Sequence, residues 1–501
     1  MNDYSSNVVD NAVASNLAFA VDAVLDTNTN KIVCRAVLLN NPAAAGCQPL
    51  NLFGEGNYSA AARDYVLGDG FSAVHYDQLT AAVNVIGEPF STWAGPVKVA
   101  FGGEHRRETQ ELTSNLISSV NGFISGGNAV PYAGKFDVTE GYFEATAPLL
   151  ESLDLNGAVR YADYSTGGGQ WAWKLGGVWE PVSGFNIRVG RSRDIRAPAI
   201  NELYSPGVNV TNIVTLLVDG VSKSASIPQN TSKGATSVRA EFADTWTAGF
   251  AYRGEGKLRG FGLSIDYYNI KIRNAITNLL TVNIANLCGQ QQAYFCNLFS
   301  YGPDTATADP TDRIHTGLVA GAQNVGKFDQ QGIDFTLSYG TEVDMLGEGG
   351  RYSITASGTY VISAIVDTGT GDPAIDRAGE NGWANLGSTP TFRANLSQTI
   401  GNRNWELSLQ SIFVSAGVQD AIYNTNASNT VTDNSVPAVV YFNLFGKLFF
   451  EDKKYELFWA VNNLLDKDPP PTPYSVLNSP VNGQYYDKVG RNFMIGVRAK
   501  F

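Results

Sequence analysis

Histidine, methionine and long apolar runs are scarce in this sequence. The 501 residues include three histidines and three methionines, and no run of 18 apolar residues occurs. The lack of such a run excludes a helical membrane span. His75, His105 and His315 lie far apart in the sequence, which argues against a histidine-built metal site and against acid–base catalysis.

Charge is limited and of one predominant sign. Charged residues make up 16% of the chain, and the net charge is −12, which argues against nucleic acid as a partner. The glycine-rich stretch 165–170 has no P-loop lysine, so we interpret it as a turn. Residues 1–6 have neither the basic nor the apolar region of a signal peptide. We therefore expect no cofactor, no bound metal and no catalytic residue, and we interpret the protein as not an enzyme.

The four cysteines form two close pairs in loop-like segments. Cys34 lies near Cys47, and Cys288 lies near Cys296. Close pairing in loops suggests two local disulfides formed outside the cytosol. Four unrelated thiols are the alternative, and the spacing is not that of a zinc site.

Glycine (52 residues) and aromatics (11%) are plentiful, as in large antiparallel β proteins. The clearest strand is the last one, where apolar side chains share one face and polar or small side chains share the other. Its apolar face consists of Phe493, Ile495, Val497, Ala499 and Phe501. A strand between lipid and water has to alternate in this way, because Lys or Arg at the bilayer midplane costs roughly 2–4 kcal/mol.

The same period of two recurs along the chain and predicts about fifteen strands. They are 71–86, 96–108, 135–149, 153–165, 168–180, 185–197, 242–253, 259–275, 328–342, 351–366, 390–401, 405–417, 438–450, 455–465 and 491–501. Short connections alternate with connections that are mostly long. That asymmetry is typical of a transmembrane β-barrel, with turns in the periplasm and long loops outside the cell.

This alternation also orients the strands. If the last strand runs toward the short turns, then strand 71–86 does too, and residues 1–70 form an extracellular loop region. A barrel with an even number of strands would then lack at least one strand before residue 71. We therefore expect residues 71–501 to be part of a longer barrel whose amino-terminal portion is missing.

Six segments, in order along the chain, resemble the barrel of TonB-dependent outer-membrane receptors. They are RDIRAPAINELY at 193–204, ADTWTAGF at 243–250, DYYNIKIRNAI at 266–276, NVGKFDQQGIDF at 324–335, VNNLLDKDPP at 461–470, and YDKVGR at 486–491 with the strand after it. The resemblance implies a bacterial outer-membrane protein with a 22-stranded barrel. It further implies uptake of a scarce small-molecule ligand such as a siderophore, cobalamin or a saccharide.

The resemblance also implies partners. Outer-membrane lipid would surround the barrel, and the barrel-assembly machinery would read the final strand, with Phe493, Ile495, Val497 and Phe501 as its assembly signal. Family members carry an amino-terminal plug through which TonB acts, and no plug is recognisable in this sequence. A TonB partner is therefore expected only if a plug precedes the chain.

Candidate site residues fall into two groups. We expect lumen-facing charges, which either grip a plug or solute or pair with one another inside the wall, at Lys98, Glu104, Arg160, Arg188, Arg393, Glu406 and Arg498. Aromatic residues in predicted loops could contact a ligand or hold the loops together: Tyr204, Tyr294, Phe295, Phe299, Tyr301 and Tyr423. Arg193 and Arg196, before loop 198–241, are expected to anchor that loop.

Other functions stay open at this point. A plugless passive pore and a non-functional barrel fragment are the main alternatives. A soluble β-rich binding protein is disfavoured by the terminal strand and by the loop asymmetry. A barrel-embedded enzyme lacks a recognisable catalytic set.

Overall fold

The computed structural model describes residues 2–124, 126–218, 221–278, 281, 284–285, 288, 293–306, 312–369, 373–382, 387–422, 433–472 and 481–500. Within these residues, sixteen strands pair in chain order, each antiparallel to the next. We call them the wall. No helix among the described residues is long and apolar enough to cross a membrane.

The wall strands are β1 (Asn2–Ala12), β2 (Leu67–Thr92), β3 (Gly95–Ser114), β4 (Tyr132–Leu150), β5 (Leu153–Tyr164), β6 (Gly168–Val182), β7 (Phe185–Arg196), β8 (Glu241–Arg253), β9 (Phe261–Asn278), β10 (Arg313–Glu342), β11 (Arg351–Asp367), β12 (Phe392–Gly401), β13 (Trp405–Val414), β14 (Val439–Phe450), β15 (Tyr455–Asn462) and β16 (Asn492–Ala499). All fifteen predicted strands are present. The main differences are β2, which is longer at both ends, and β10, which begins fifteen residues before the predicted 328.

Shorter elements lie in the connections. The short strands are Ala23–Asp26, Lys31–Cys34, Val208–Val218, Val221–Lys233, Phe299–Pro303, Ile375–Asp376, Gly417–Val418 and Ser435–Val436. The α-helices are Ala14–Val21, Arg35–Leu38, Ala60–Val66, Leu116–Ser119, Ile200–Tyr204 and Ala293–Cys296. Single 3₁₀ turns occur at Pro42–Ala44, Gly256–Leu258 and Asp344–Leu346.

Residues 1–70 differ from the expected loop region. Asn2–Ala12 forms β1, which pairs with the first part of β2, from Asn2 opposite Tyr76 to Ala12 opposite Leu67. The strand was missed because its sequence, NDYSSNVVDNA, is mostly polar on both faces and shows no alternation. Residues 13–66 do form a connection, in which Cys34 and Cys47 are joined (S–S 2.11 Å) beside the buried Ala20 and Val66.

The two faces of the wall differ in chemistry. On one, the apolar face, Phe493, Ile495 and Val497 are 73–75% exposed. The other, the polar face, carries charged, hydroxyl and small residues in nearly every strand. Large side chains that are exposed on one face of a sheet need an apolar medium around them, because a soluble protein buries such a face.

The connections differ in length at the two ends of the wall. At the turn end they are as short as residues 93–94, 151–152 and 183–184. At the long-loop end they span 13–66, 197–240 and 279–312, among others. The larger buried clusters lie in these long connections, so the hydrophobic core sits mainly at the long-loop end and only partly between the strands.

Candidate functional site: the polar face and the long-loop end

Strand register places the seven predicted lumen charges on the polar face, where five of them are in ion pairs. The pairs are Glu104 with Arg106 (3.0 Å), Arg160 with Glu140, Arg188 with Asp266 (2.5 Å), Glu406 with Arg351 (2.6 Å) and Lys447 (3.2 Å), and Arg498 with Glu456 (3.2 Å). Three of these six pairs link neighbouring strands, two reach across one intervening strand, and the Glu104–Arg106 pair lies within β3. Pairing lowers the cost of placing charges on a crowded wall and adds cross-strand stabilisation.

Arg393 and Lys98 are the two members with no ion pair among the described residues. Arg393 lines a cavity of about 560 Å³ on the wall, together with Asp334, Thr359 and Tyr485. Thr359 donates a hydrogen bond to Asp334 (2.6 Å). An unpaired guanidinium beside hydroxyl and carboxylate groups offers donors to a polar partner on this face.

The RDIRAPAINELY segment folds as an ion-paired corner at the top of β7. Arg196 binds Glu202 (2.9 Å), on the helix Ile200–Tyr204, and Glu241 (2.6 Å), at the start of β8. Glu202 also accepts a hydrogen bond from the backbone N–H of Ala199 (2.7 Å). One arginine thus joins the strand before the long connection, its first helix and the strand after it. Sequence reasoning named Arg196 but missed the two glutamates, although Glu202 lies inside the quoted motif.

Hydrogen bonds join the two carboxy-terminal motifs, VNNLLDKDPP at 461–470 and YDKVGR at 486–491. Asn463 is buried, and its side-chain amide donates to Asp487 Oδ2 (2.9 Å) and to the backbone oxygen of Lys467 (3.0 Å). Tyr486 is buried in the adjacent cluster, and this burial raises its pKa to about 12. The penultimate strand, its exit loop and the entry to β16 therefore form one packed unit.

A second small sheet stands above the wall at the long-loop end. Val208–Val218 pairs with Val221–Lys233, which pairs with the upper part of β10, and Phe299–Pro303 pairs with β10 on its other side. We call these strands, with residues 284–298 where described, the loop module. Its core includes Leu216, Ile227, Leu318 and the Cys288–Cys296 disulfide (S–S 2.02 Å).

The loop module also contains a buried ion cluster. The Lys223 ammonium lies 2.7 Å from Asp304 and 2.5 Å from Asp312, and the Lys223 and Asp304 side chains are each 8% exposed. Hydrogen bonding to the two carboxylates raises the pKa of Lys223 above its usual range. The same bond, with the Ala306 N–H, lowers the pKa of Asp304. The charged forms are therefore the stable ones in this cluster.

The predicted loop aromatics divide by burial. Phe295 and Phe299 are 6% and 4% exposed and belong to the loop-module core, so their burial does not support ligand contact. Tyr294 and Tyr301 are 58% and 37% exposed. Tyr204 donates a hydrogen bond to the backbone oxygen of Lys135 (3.2 Å), which fastens its helix to β4. Tyr423 lies outside the described residues.

The assembly-signal residues Phe493, Ile495 and Val497 lie on the apolar face of β16, and Phe501 lies outside the described residues. In the described part of the chain, no group of three or more His, Cys, Asp or Glu side chains is arranged to hold a metal ion. The polar arrangements described above are ion pairs and hydrogen-bonded caps, which position strands and loops.

Several solved receptors share this fold. The siderophore receptor PirA from Acinetobacter baumannii is 13% identical, with a TM-score of 0.56 over 87% of this chain and 56% of the receptor. A double mutant of the ferric enterobactin receptor PfeA from Pseudomonas aeruginosa is 15% identical, with a TM-score of 0.59 over 90% and 57%. The FrpB iron transporter from Neisseria meningitidis is 14% identical, with a TM-score of 0.52 over 87% and 56%.

This chain thus spans somewhat more than half the length of the solved receptors. No match is found among curated proteins. The sequence matches the family described as "TonB dependent receptor-like, beta-barrel" over residues 17–464. The match covers most of the chain and agrees with the antiparallel wall, its apolar face and its clustered long loops. The chain therefore belongs to the TonB-dependent receptor β-barrel family, a family of receptors and transporters of the bacterial outer membrane.

Proposed function

We propose that this chain supplies the capturing loops and the wall of a receptor that takes up a scarce ligand across the outer membrane. A siderophore, cobalamin or a saccharide is the class of ligand in question. A siderophore is favoured, because the solved relatives are named as siderophore or iron receptors. The observation that carries the proposal is the loop module, which has its own packed core and places exposed Tyr294 and Tyr301 at the long-loop end.

The long-loop end is the extracellular end in this proposal, and the polar face lines the lumen. Most lumen charges are already paired, which keeps the wall in one register while leaving Arg393 and Lys98 for contacts with a plug or solute. TonB would act through a plug supplied by a longer form of the protein. The barrel-assembly machinery would recognise the aromatic end of the final strand.

Uptake by living cells tests the proposal. The gene would be expressed with its natural upstream sequence in a strain lacking its own siderophore receptors, with ferric enterobactin as the first probe. We expect iron accumulation that depends both on this gene and on TonB. A matched Tyr294→Ala, Tyr301→Ala variant should keep its outer-membrane level and lose accumulation. Equal accumulation with and without TonB would contradict the receptor proposal for this probe.

Liposome swelling separates a receptor from a passive pore. The protein, expressed with its natural upstream sequence, would be purified, reconstituted and challenged with small sugars of increasing size. A receptor wall filled by its plug should give little swelling. Rapid swelling by the protein with its natural upstream sequence would favour the passive-pore alternative.

A further inference from the structure

A block of charged residues interrupts the apolar face of the wall at its long-loop end. On β7, Phe185, Ile187 and Val189 are followed on the same face by Arg191 and Arg193. On β9, Leu263, Ile265 and Tyr267 are followed by Asn269, Lys271 and Arg273. The change from apolar to charged side chains therefore occurs at the same level on β7 and β9, the two strands that flank β8, at one edge of the apolar band.

Strand pairing brings these charges into contact range. Arg193 lies opposite Asp244, which lies opposite Lys271, and Lys271 lies opposite Asp329 on β10. One row below, Arg191 lies opposite Trp246, with its guanidinium 4.7 Å from the ring centroid. Residues of this block line a depression of about 350 Å³ on the apolar face: Arg191, Asp244, Trp246, Tyr267, Asn269, Lys271 and Arg273. We call these seven residues, together with Arg193 and Asp329, the outer basic block.

The block carries more positive than negative charge. Arg193 is held by Asp244 (2.9 Å), and Arg273 is held by Asp329 (2.7 Å). Arg191 and Lys271 form no direct ion pair among the residues that the structure describes, although Asp244 lies close enough to interact with Arg191 at longer range. Four cations and two anions leave a net charge of +2, on a chain whose net charge is −12. An anion from the membrane itself would neutralise the excess positive charge of these two cations at the edge of lipid.

We infer that the outer basic block binds the phosphate of a phosphorylated lipid in the outer leaflet. A phosphate accepts hydrogen bonds from a guanidinium and an ammonium at once. Trp246 and Tyr267 supply the amphipathic rings that sit at head-group level, beside the acyl chains. Because the block lies on the outside of the wall, its ligand is a component of the membrane and not the cargo. The inference uses the proposed orientation and is independent of which ligand is taken up.

Retention of a defined lipid tests the inference. The protein, isolated from outer membranes in mild detergent, would be exchanged into bisphosphorylated lipid A or the same lipid without phosphates, and bound lipid would be counted by native mass spectrometry. We expect preferential retention of the phosphorylated form. Arg191→Gln with Lys271→Gln should weaken it about a hundredfold, a factor of about ten for each of the two charge-assisted hydrogen bonds lost. Arg191→Lys with Lys271→Arg should keep most of it.

The matched control is Lys453→Gln with Lys454→Gln, which removes two cations at the turn end. Equal retention by the control and the block variant would overturn the inference, as would equal binding of the two lipids. Displacement of the lipid by excess inorganic phosphate alone would identify a free-anion site and also overturn it. Heat-modifiable mobility shows whether the Arg191→Gln, Lys271→Gln variant folds. If it does not, the single variant Lys271→Gln is tested in its place, because this exposed side chain makes no ion pair in the described structure.

Discussion

At the scale of single residues, neighbours in the chain have opposite environments. Tyr294 is 58% exposed and Phe295 is 6% exposed, although the sequence placed both in one group of loop aromatics expected either to contact a ligand or to hold the loops together. Their rings meet edge to face at 5.2 Å. Aromatic type alone predicts that a residue can bind or pack, and only the fold of the loop module decides which of the two it does.

Alanine substitutions of these neighbours should therefore act differently. Phe295→Ala should destabilise the loop module by about 3–5 kcal/mol, because it empties a packed position. Tyr294→Ala should leave stability within about 0.5 kcal/mol and reduce ligand binding. Amide hydrogen exchange in residues 208–233 measures the first effect, and probe binding to the purified protein measures the second. Equal exchange in both variants would contradict the assigned core.

At the scale of elements, the loop module is fastened by a disulfide and by a buried ion cluster. The disulfide closes a short segment, since Cys288 and Cys296 are eight residues apart. The ion cluster joins the hairpin at Lys223 to the connection at Asp304. Each fastening adds a direct bond or ion pair that holds segments of the loop module together.

Removing the disulfide should loosen this module and leave the wall intact. Cys288→Ser with Cys296→Ser should cost the module about 2–3 kcal/mol, the loop-closure contribution of a short ring. Limited proteolysis of intact cells should then cleave residues 284–306 faster. Cys34→Ser with Cys47→Ser is the matched control, and it should leave that cleavage rate unchanged.

The ion cluster should make loop-module stability depend on pH at both extremes. Asp304 has a lowered pKa, so its contribution is present above the ordinary value of 3.8 and is lost as the pH falls through the lowered one. Lys223 has a raised pKa, so its contribution is present below 10.5 and is lost as the pH rises through the raised value.

Hydrogen exchange, corrected for its intrinsic pH dependence, checks this prediction. Protection of residues 221–233 should be steady between those limits and fall outside them. A Lys223→Met variant, which keeps the aliphatic stem, should lose the alkaline decline. An unchanged alkaline decline in that variant would assign the loss to other groups.

At the scale of the whole molecule, the assembly signal proposed for the last strand gives a testable prediction. Deleting Phe501 should lower the amount of folded barrel in the outer membrane, because the final aromatic residue is part of the proposed assembly signal. Heat-modifiable mobility of outer-membrane fractions measures this amount. Lys500→Ala is the matched control at the adjacent position. A normal folded level without Phe501 would contradict the prediction.

The wall was predictable from the sequence because lipid and water impose different side chains on alternate positions. Where that contrast is absent, prediction failed. β1 is polar on both faces, and the hairpin Val208–Lys233 and the first half of β10 stand above the wall, away from the apolar band. The loop anchors were predicted in part: Arg196 was identified, but its two glutamate partners are separated from each other by 39 residues of sequence and meet only in the folded corner.

β10 connects the loop module to the wall, because its 30 residues form one strand that runs from the loop module to the turn end. At about 3.3 Å per residue, such a strand is several times longer than the ~25 Å apolar band. The proposed capture surface and the wall consequently share one backbone in a fixed register. A ligand that docks on this module therefore meets a preorganised surface, and little conformational entropy is spent on ordering it.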